Sequence, residues 1–439
     1  MIHNATNLHP VGLIAVLLLG VAVLLLPRRY ALVPFLVMAC FIAPTQRLVL
    51  ATLDFNLLRL LILFGWARVL MSREASAFRW KRLDTLIVLW TVSGTLITML
   101  RDASIVELVY RMGLTYDAIG MYFLFRILIR NWVDVEALMT SAAVISVPVA
   151  MIFVIEWVTG RNMFAFFGGV SPYTIVRDGR MRCRGPFMHP IYAGCFWAAL
   201  MPLIGALWWN CRRTRWLAPV GVAASAVIVL TTSSATPISA MITAGIAVAL
   251  FPLRHYLGWM RWGVVFGLVG LHLAMVNPVW HLIARINLVG GSGWYRFKLI
   301  DEFIKHFADW WLVGTDSFVQ WWQYSFEAVT NQYVLEAVNG GLLTLVLFVA
   351  IIVVAFQGVG KIGRSVGHRR FLQLTAWAIG ASLVVHSSSY ISVAYFGQLL
   401  IVWYLALGMI ASLLPDTGRR RVYRIVAPDG GPATLPQLS

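Results

Sequence analysis

Apolar residues occur along this chain in runs of about 20, and short polar or basic stretches separate these runs from one end to the other. A helix of that length crosses about 30 Å of hydrocarbon. The pattern therefore predicts an all-α fold, a polytopic transmembrane helical bundle with twelve to thirteen spans. The predicted spans are residues 11–26, 30–43, 48–70, 84–100, 108–129, 136–158, 189–209, 217–231, 236–252, 262–278, 338–357, 372–388 and 394–414.

Two segments between predicted spans, residues 159–188 and 279–337, are too long to be simple connections. In the second, apolar residues recur at helical spacing after Arg296, which predicts an amphipathic helix on the membrane surface with Arg296 directed toward the bundle. The apolar face holds Ile300, Phe303, Ile304, Phe307 and Trp311, and the polar face holds Lys298, Asp301, Glu302 and Lys305.

Tryptophans and tyrosines surround this predicted helix. Two interpretations remain open, an interfacial aromatic belt and rings that stack on sugars or contact an isoprenoid chain. The aromatic residues are Trp294, Tyr295, Trp310, Trp311, Trp321, Trp322 and Tyr324.

We expect residues 1–415 to form a single integral membrane domain and residues 416–439 a basic cytoplasmic tail, disordered at its end.

Composition and charge agree with a membrane protein. The chain is 60% hydrophobic and 12% charged, whereas soluble domains hold about 25% charged residues. Lys and Arg are concentrated in alternate loops, and this bias favours the cytoplasmic side for those loops. The same bias predicts an outward-facing N-terminus. It explains most of the net charge of +17, so no nucleic-acid partner is expected.

Four arginines at positions 177, 180, 182 and 184 lie in the first long segment, on the side expected to be poor in positive charge. Long loops tolerate charge during translocation, so these arginines are either simply tolerated or hold an anion. Their density just before a span favours anion binding. Cys183 lies among them, but it has no placed histidine partner for nucleophilic chemistry.

Ionisable residues inside predicted spans indicate either a polar cavity or structural ion pairs between helices. The clearest are Asp54 and Arg59 on the third span and Arg111 and Asp117 on the fifth. His386, near one end of the twelfth span, is either a packing hydrogen-bonder or a catalytic candidate.

Several chemistries are disfavoured by what the sequence lacks. It contains neither a Gly-rich phosphate loop nor a Cys/His set with zinc spacing, and acidic residues are scarce in the outer loops. The sequence therefore predicts neither ATP-driven transport nor a bound metal or other cofactor. With Cys183 the only cysteine in an outer loop, no external disulfide is expected.

The stretch Arg182-Cys-Arg184-Gly185-Pro-Phe187-Met-His189-Pro190 resembles the R-x-x-G-x-F-x-(H/N)-P element of the O-antigen ligase and polymerase superfamily. The layout from about residue 50 to 410 resembles the same superfamily. Further similar elements are Leu230-Thr-Thr-Ser-Ser-Ala, Arg296, Trp311-Leu-Val-Gly314, Asn331-Gln-Tyr333, Glu336 and Gly340-Gly341. Two positions depart from the pattern. Thr330 stands where ligases have a histidine, and Ser234 stands where an arginine is common. The departures favour a repeat-unit polymerase over a ligase that transfers glycan to lipid A core.

The resemblance implies a GT-C-like glycosyltransferase in the bacterial inner membrane, with its active site facing the periplasm. Its partners would be an undecaprenyl-diphosphate-linked glycan donor, a glycan acceptor, membrane lipids and a chain-length regulator. The implied catalytic residues are Arg182, Arg296, His189 and His386, and the implied substrate-binding residues are Arg184, Arg180, Asn331, Tyr333, Glu336 and Arg111.

In the implied mechanism, arginines hold the diphosphate through bidentate hydrogen bonds and stabilise its charge as it leaves, in place of a metal. The general base stays open among His189, His386, Glu327 and Glu336, with His189 first. Two other functions also stay open, a transporter or flippase of an anionic lipid-linked glycan and a non-catalytic subunit of an export complex.

Overall fold

The computed structural model describes residues 6–50, 53–102, 104–210, 214–285, 293–321 and 329–415, and this part is mostly helical. The predicted tail at 416–439 lies outside it, as do Trp322, Tyr324 and Glu327. The α-helices are α1 (Pro10–Leu25), α2 (Val33–Phe41), α3 (Leu57–Met71), α4 (Arg82–Asp102), α5 (Ile105–Leu128), α6 (Trp132–Thr159), α7 (Pro190–Ala206), α8 (Leu217–Thr231), α9 (Ala235–Ala249), α10 (Leu257–Ala274), α11 (Leu282–Arg285), α12 (Gly293–Lys305), α13 (Phe307–Trp310), α14 (Gln332–Ser365), α15 (Arg370–Ser389) and α16 (Gln398–Leu413).

Five helices in the described residues are long and apolar enough to cross a membrane, which agrees with the predicted helical membrane bundle. Local sequence signals set several of their ends. Asn131 and Asp134 form a capping box at the start of α6, and Gly160, with φ of 68°, ends it. The five segments are Arg82–Asp102, Trp132–Thr159, Pro190–Trp209, Phe251–Ala274 and Gln332–Ser365.

Two short antiparallel hairpins interrupt the helices. The strands β1 (Arg47–Leu50) and β2 (Leu53–Asn56) pair with each other, and β3 (Ile175–Arg177) pairs with β4 (Arg180–Arg182). The first hairpin corrects the predicted span at 48–70, because α3 begins only at Leu57. Asp54 therefore lies on β2 rather than within a span. The error arose because a short apolar strand and a helix segment look alike in sequence.

The centre of the bundle is α7, which packs against α8, α9, α15 and α16. Small residues allow this close approach, as is usual between membrane helices. A Cβ atom added to Gly194 on α7 would lie 2.3 Å from the Cβ of Pro237 on α9. Trp197, on the same helix, is fully buried. This packing fixes the starts of α7 and α9 relative to each other.

One end of the bundle, here called the basic end, carries arginines that tie helix termini together. Arg28 donates to Asp134 at 2.8 Å, joining the residues after α1 to the start of α6. Arg68 donates to the carbonyl of Leu26 at 2.6 Å, and Arg126 donates to Ser412 near the end of α16 at 3.2 Å. The helix ends predicted to be cytoplasmic therefore meet at this end.

The opposite end, here called the loop end, contains the two long segments. Gln398 at the start of α16 donates to the carbonyl of Pro186 in the first segment at 3.1 Å. The backbone N–H of Gln332 at the start of α14 donates to the carbonyl of Tyr390 after α15 at 2.8 Å. The end of α15, the starts of α14 and α16, and the arginine-rich loop therefore lie together.

The second long segment folds as short helices rather than as the single helix predicted from Arg296 to Trp311. α12 ends at Lys305, and α13 follows after His306. The side facing the protein includes Leu299 and Glu302, while Ile304, Phe307 and Trp311 are exposed. Three residues of the predicted apolar face are thus exposed, as on a helix whose apolar side faces lipid, and its place on a membrane surface stays a prediction.

The ionisable residues on α3 and α5 form ion pairs. Nε and Nη2 of Arg59 donate to the two carboxylate oxygens of Asp117, both at 2.8 Å. Arg111 donates to Glu107 at 2.7 Å and to the side-chain oxygen of Asn339 at 3.1 Å. These contacts favour the structural ion-pair interpretation.

Candidate functional site

Arg182, at the end of β4, is the most buried of the four loop arginines, with 8% of its surface exposed. Its Nη2 atom donates to the hydroxyl of Ser234 at 2.6 Å. Ser234 is the N-cap residue of α9, and its own hydroxyl donates to the carbonyl of Thr232 at 3.0 Å. The arginine is thereby anchored to the first turn of α9.

Arg296 reaches the same turn from the second long segment. Its Nη2 atom donates to the hydroxyl of Thr236 at 2.8 Å, and burial lowers the pKa of its guanidinium. The prediction that Arg296 points toward the bundle is confirmed. Arginines from two distant segments therefore bond to residues two positions apart at the start of one helix.

This arrangement suits an anion on electrostatic grounds. The first N–H groups of a helix have no partners within the helix, and the helix dipole places positive potential there. Two guanidinium groups add to that potential at the start of α9. The buried Nε of Arg182 has no hydrogen-bond partner among the described residues, so one strong donor is left for an acceptor such as phosphate.

A buried acid, Glu156 near the end of α6, shapes the loop that follows Arg182. Its carboxylate accepts hydrogen bonds from the backbone N–H groups of Arg184 at 3.1 Å and Gly185 at 3.0 Å. Asn162 donates to the carbonyl of Gly185 at 2.7 Å. Sequence reasoning missed Glu156 and Asn162. The available signal was an acid at the very end of an apolar run.

His189 is the N-cap residue of α7, and its Nδ1 atom accepts from the backbone N–H of Ile191 at 3.2 Å. Burial, together with repulsion from Arg182 and Arg184, lowers the pKa of His189 to about 4. The ring is therefore neutral near pH 7. With Nδ1 accepting, the ring proton belongs on Nε2, which suits hydrogen-bond donation better than proton removal.

The remaining loop arginines, Arg177, Arg180 and Arg184, differ in how much of their surface is exposed. Arg177 and Arg180 flank the tip of the β3–β4 hairpin and are exposed, with Arg177 lying 3.6 Å from the carboxylate of Asp178. Arg184 is partly buried, and its Nε has no hydrogen-bond partner among the described residues. Burial therefore distinguishes Arg182 and Arg184 from the two exposed arginines, Arg177 and Arg180.

His386 is fully buried on α15, and its Nδ1 lies 2.9 Å from the Tyr395 hydroxyl. Among the described residues, no hydrogen bond joins His386 to Arg182 or Arg296. A direct catalytic role stays a prediction.

Three predicted substrate-binding residues on or next to α14 form hydrogen bonds with other residues of the protein. The side chain of Asn331 donates to the carbonyl of Ile391 at 3.1 Å, and the Tyr333 hydroxyl donates to the carbonyl of Ser387 at 3.0 Å. Glu336 accepts from Trp90 at 2.8 Å. These bonds join α14 to its neighbours, and substrate contacts by these residues stay a prediction.

Thr330, which stands where the resemblance calls for histidine, has a buried hydroxyl with no hydrogen-bond partner among the described residues. Arg111 belongs to a separate cluster with Glu107 and Asn339. In the part of the chain that the structure describes, no three His, Cys, Asp or Glu side chains lie close enough together to hold a metal ion.

The site thus combines one helix start, two anchored arginines and a neutral histidine at a neighbouring helix start. Compared with known proteins, the chain matches no family model and no curated protein sequence.

Proposed function

We propose that this protein is a metal-independent membrane glycosyltransferase that transfers a glycan from undecaprenyl diphosphate to an acceptor sugar, acting as a polysaccharide repeat-unit polymerase. The supporting observation is the convergence of Arg182 and Arg296 on Ser234 and Thr236 at the start of α9. A diphosphate is the dianionic group that two guanidiniums and a helix start bind well.

Topology supports a site facing the periplasm of a bacterial inner membrane. The arginine loop and the start of α9 lie at the loop end, opposite the basic end. Since Lys and Arg favour the cytoplasmic side, the basic end would be cytoplasmic and the site would open outward. We propose a GT-C-like bundle of twelve to thirteen spans for the whole chain.

In the proposed reaction, an acceptor sugar hydroxyl attacks the anomeric carbon of the donor, and the bond from that carbon to the diphosphate oxygen breaks. The attacking hydroxyl passes its proton to a base, and inversion at the anomeric carbon is expected. Arg182 and Arg296 stabilise the charge that grows on the leaving diphosphate. The Nε2–H of His189 donates a further hydrogen bond to this diphosphate, and Arg184 binds its other phosphate group.

The exposed arginines would act earlier. Arg177 and Arg180 raise the local potential and attract the anionic donor or lipid headgroups. Asn331, Tyr333, Glu336 and Arg111 would contact the glycan part of the substrates.

The test is turnover by the purified full-length protein. It is incubated with an undecaprenyl-diphosphate-linked glycan and, in separate reactions, with free glycan acceptor or lipid A core, and released undecaprenyl diphosphate and elongated glycan are measured. Elongation without added metal, also in the presence of EDTA, is the expected result. Transfer only to lipid A core would instead identify a ligase. Movement of the donor across liposomes without turnover would contradict the transferase and support a flippase.

A further inference from the structure

A cavity lies at the basic end, between the start of α4, the end of α5 and the end of α16. Its volume is about 130 Å³, and a single water needs only about 10–15 Å³ on this measure, so a tetrahedral anion fits. The charged residues of its wall are four basic side chains and one acid, Glu74. The basic residues are Arg79, Lys81, Arg126 and Arg130.

Arg126 is fixed in this wall with one donor unused. It is 7% exposed. Its Nη1 donates to Ser412 at 3.2 Å, and its Nη2 donates to the carbonyl of Arg79 at 3.0 Å. Its buried Nε lies 3.6 Å from Asp84 and has no hydrogen-bond partner among the described residues. A preorganised guanidinium of this kind suits a tetrahedral oxyanion.

Arg130 adds a second guanidinium with the same property. Its Nη2 donates to the carbonyl of Glu74, while its buried Nε has no hydrogen-bond partner within the described ranges. Burial lowers the pKa of Arg130 and the nearby charge of Arg28 lowers it further, while the charges of Glu74 and Asp134 act in the opposite direction. An anion in the cavity would add to the effect of these two carboxylates.

The acid in the wall offsets only part of this charge. The carboxylate of Glu74 accepts from Nη2 of Arg68 at 3.0 Å and from its Nε at 3.2 Å, so it is committed to an arginine outside the cavity. Asp84, outside the wall, lies 3.6 Å from Nε of Arg126. With both carboxylates counted, the four basic residues still leave an excess of positive charge at the cavity.

We propose that this cavity binds a phosphate group, namely the headgroup of an anionic phospholipid. Its position at the helix ends is where lipid headgroups lie, and basic pockets between membrane helices bind such groups. Trp80, next to Arg79, is 57% exposed, and exposed tryptophans are typical of the headgroup level. The proposal does not depend on the proposed glycan transfer.

The experiment measures lipid binding to the full-length protein after delipidation in detergent. Native mass spectrometry would follow titration with phosphatidylglycerol and with phosphatidylcholine of the same acyl chains. We expect phosphatidylglycerol to bind about tenfold more tightly, and Arg130→Gln to lower that affinity about fivefold or more. Arg79→Gln alters an exposed side chain and serves as a second variant if Arg130→Gln fails to fold.

The matched control is Arg29→Gln, which removes one positive charge at the same end but outside the cavity wall. Equal binding of the two lipids, or equal losses for Arg29→Gln and Arg130→Gln, would overturn the proposal. Inorganic phosphate is titrated separately. If it competes fully with phosphatidylglycerol at low millimolar concentration, the phosphate site stands and its assignment to a lipid is overturned.

Discussion

The guanidinium of Arg182 donates a 2.6 Å hydrogen bond to the hydroxyl of Ser234, the residue that begins α9. This bond joins a loop arginine to the positive end of a helix. Arg296 makes the equivalent bond to Thr236, two residues further along. In the proposed reaction, stabilisation of the leaving diphosphate depends on this convergence.

Replacing Arg182 by lysine should lower turnover about tenfold or more, because an ammonium group cannot both hold Ser234 and bind a phosphate through a planar fork. Arg177→Lys should change turnover by about twofold or less, since Arg177 is exposed and acts at long range. Undecaprenyl diphosphate release provides the measurement. Small and equal effects at both positions would show that only the net charge of the loop matters.

Arg182 and Arg296 should be energetically coupled if they hold one leaving group. Arg182→Gln and Arg296→Gln should each lower turnover about 100-fold, and the double variant should lose less than the product of the two effects. The control pair combines Arg182→Gln with Lys298→Gln. Lys298 lies on α12, the helix that carries Arg296, and pairs with Glu302. The effects of these two substitutions on turnover should multiply. Multiplying effects in both pairs would argue against a shared ligand.

The sequence predicted the positions of the helices better than their contacts. The predicted span at 217–231 coincides with α8, because the length of an apolar run is a local property. The hairpin of β1 and β2 was missed, since its apolar residues continue the pattern of the next helix. The sequence also predicted that Arg296 points inward, from its place at the start of the apolar stripe.

The sequence did not reveal which groups the site arginines would meet. Ser234 and Thr236 become partners of Arg182 and Arg296 only because α9 packs beside the start of α7, which is a tertiary relationship. Glu156 was overlooked for the same reason, since its partners lie in a loop that follows the helix. Burial of Leu299 and exposure of Ile304 on α12 likewise depend on neighbours that periodicity does not specify.

His189→Asn should lower turnover only about tenfold, because asparagine is a good N-cap residue that preserves the acceptor for the start of α7, while the bond from Nε2–H to the diphosphate is lost. A loss of about 1,000-fold at pH 7 would instead give His189 the role of general base. The ratio of wild-type to variant turnover at pH 7 separates these outcomes. Since the pKa of His189 is lowered to about 4, its titration should not shape the activity profile between pH 6 and pH 8.

The same substitution should change how stability depends on pH. An unfolded histidine has a pKa of about 6.5, and folding lowers the pKa of His189 to about 4, so the unfolded state takes up the proton first. Wild-type protein should therefore lose stability relative to His189→Asn as pH falls from about 6.5 to about 4, with no added difference above pH 7. Thermal unfolding of both proteins across this range is the measurement. A constant difference in Tm at every pH would show that the histidine is not held neutral.

Gly185→Ala should destabilise the protein more than Gly179→Ala does. Both glycines have positive φ, 55° and 69°, so alanine at either position carries a backbone cost of about 1–2 kcal/mol. A Cβ at Gly185 would also lie 2.5 Å from the ring of Phe153, whereas a Cβ at Gly179 would meet nothing within 4 Å. Because Phe153 is fully buried, its ring cannot move aside cheaply, and overpacking adds about 1–3 kcal/mol.

Thermal unfolding in detergent compares the two glycine variants, and turnover is measured on the same samples below their unfolding temperatures. Gly185→Ala should also lose activity, since Gly185 follows Arg184 and its backbone is held by Glu156 and Asn162. Gly179→Ala, at the exposed tip of the β3–β4 hairpin, should keep activity. If the two variants unfold at the same temperature and turn over at the same rate, the fixed shape of the loop after Arg182 does not position the arginines.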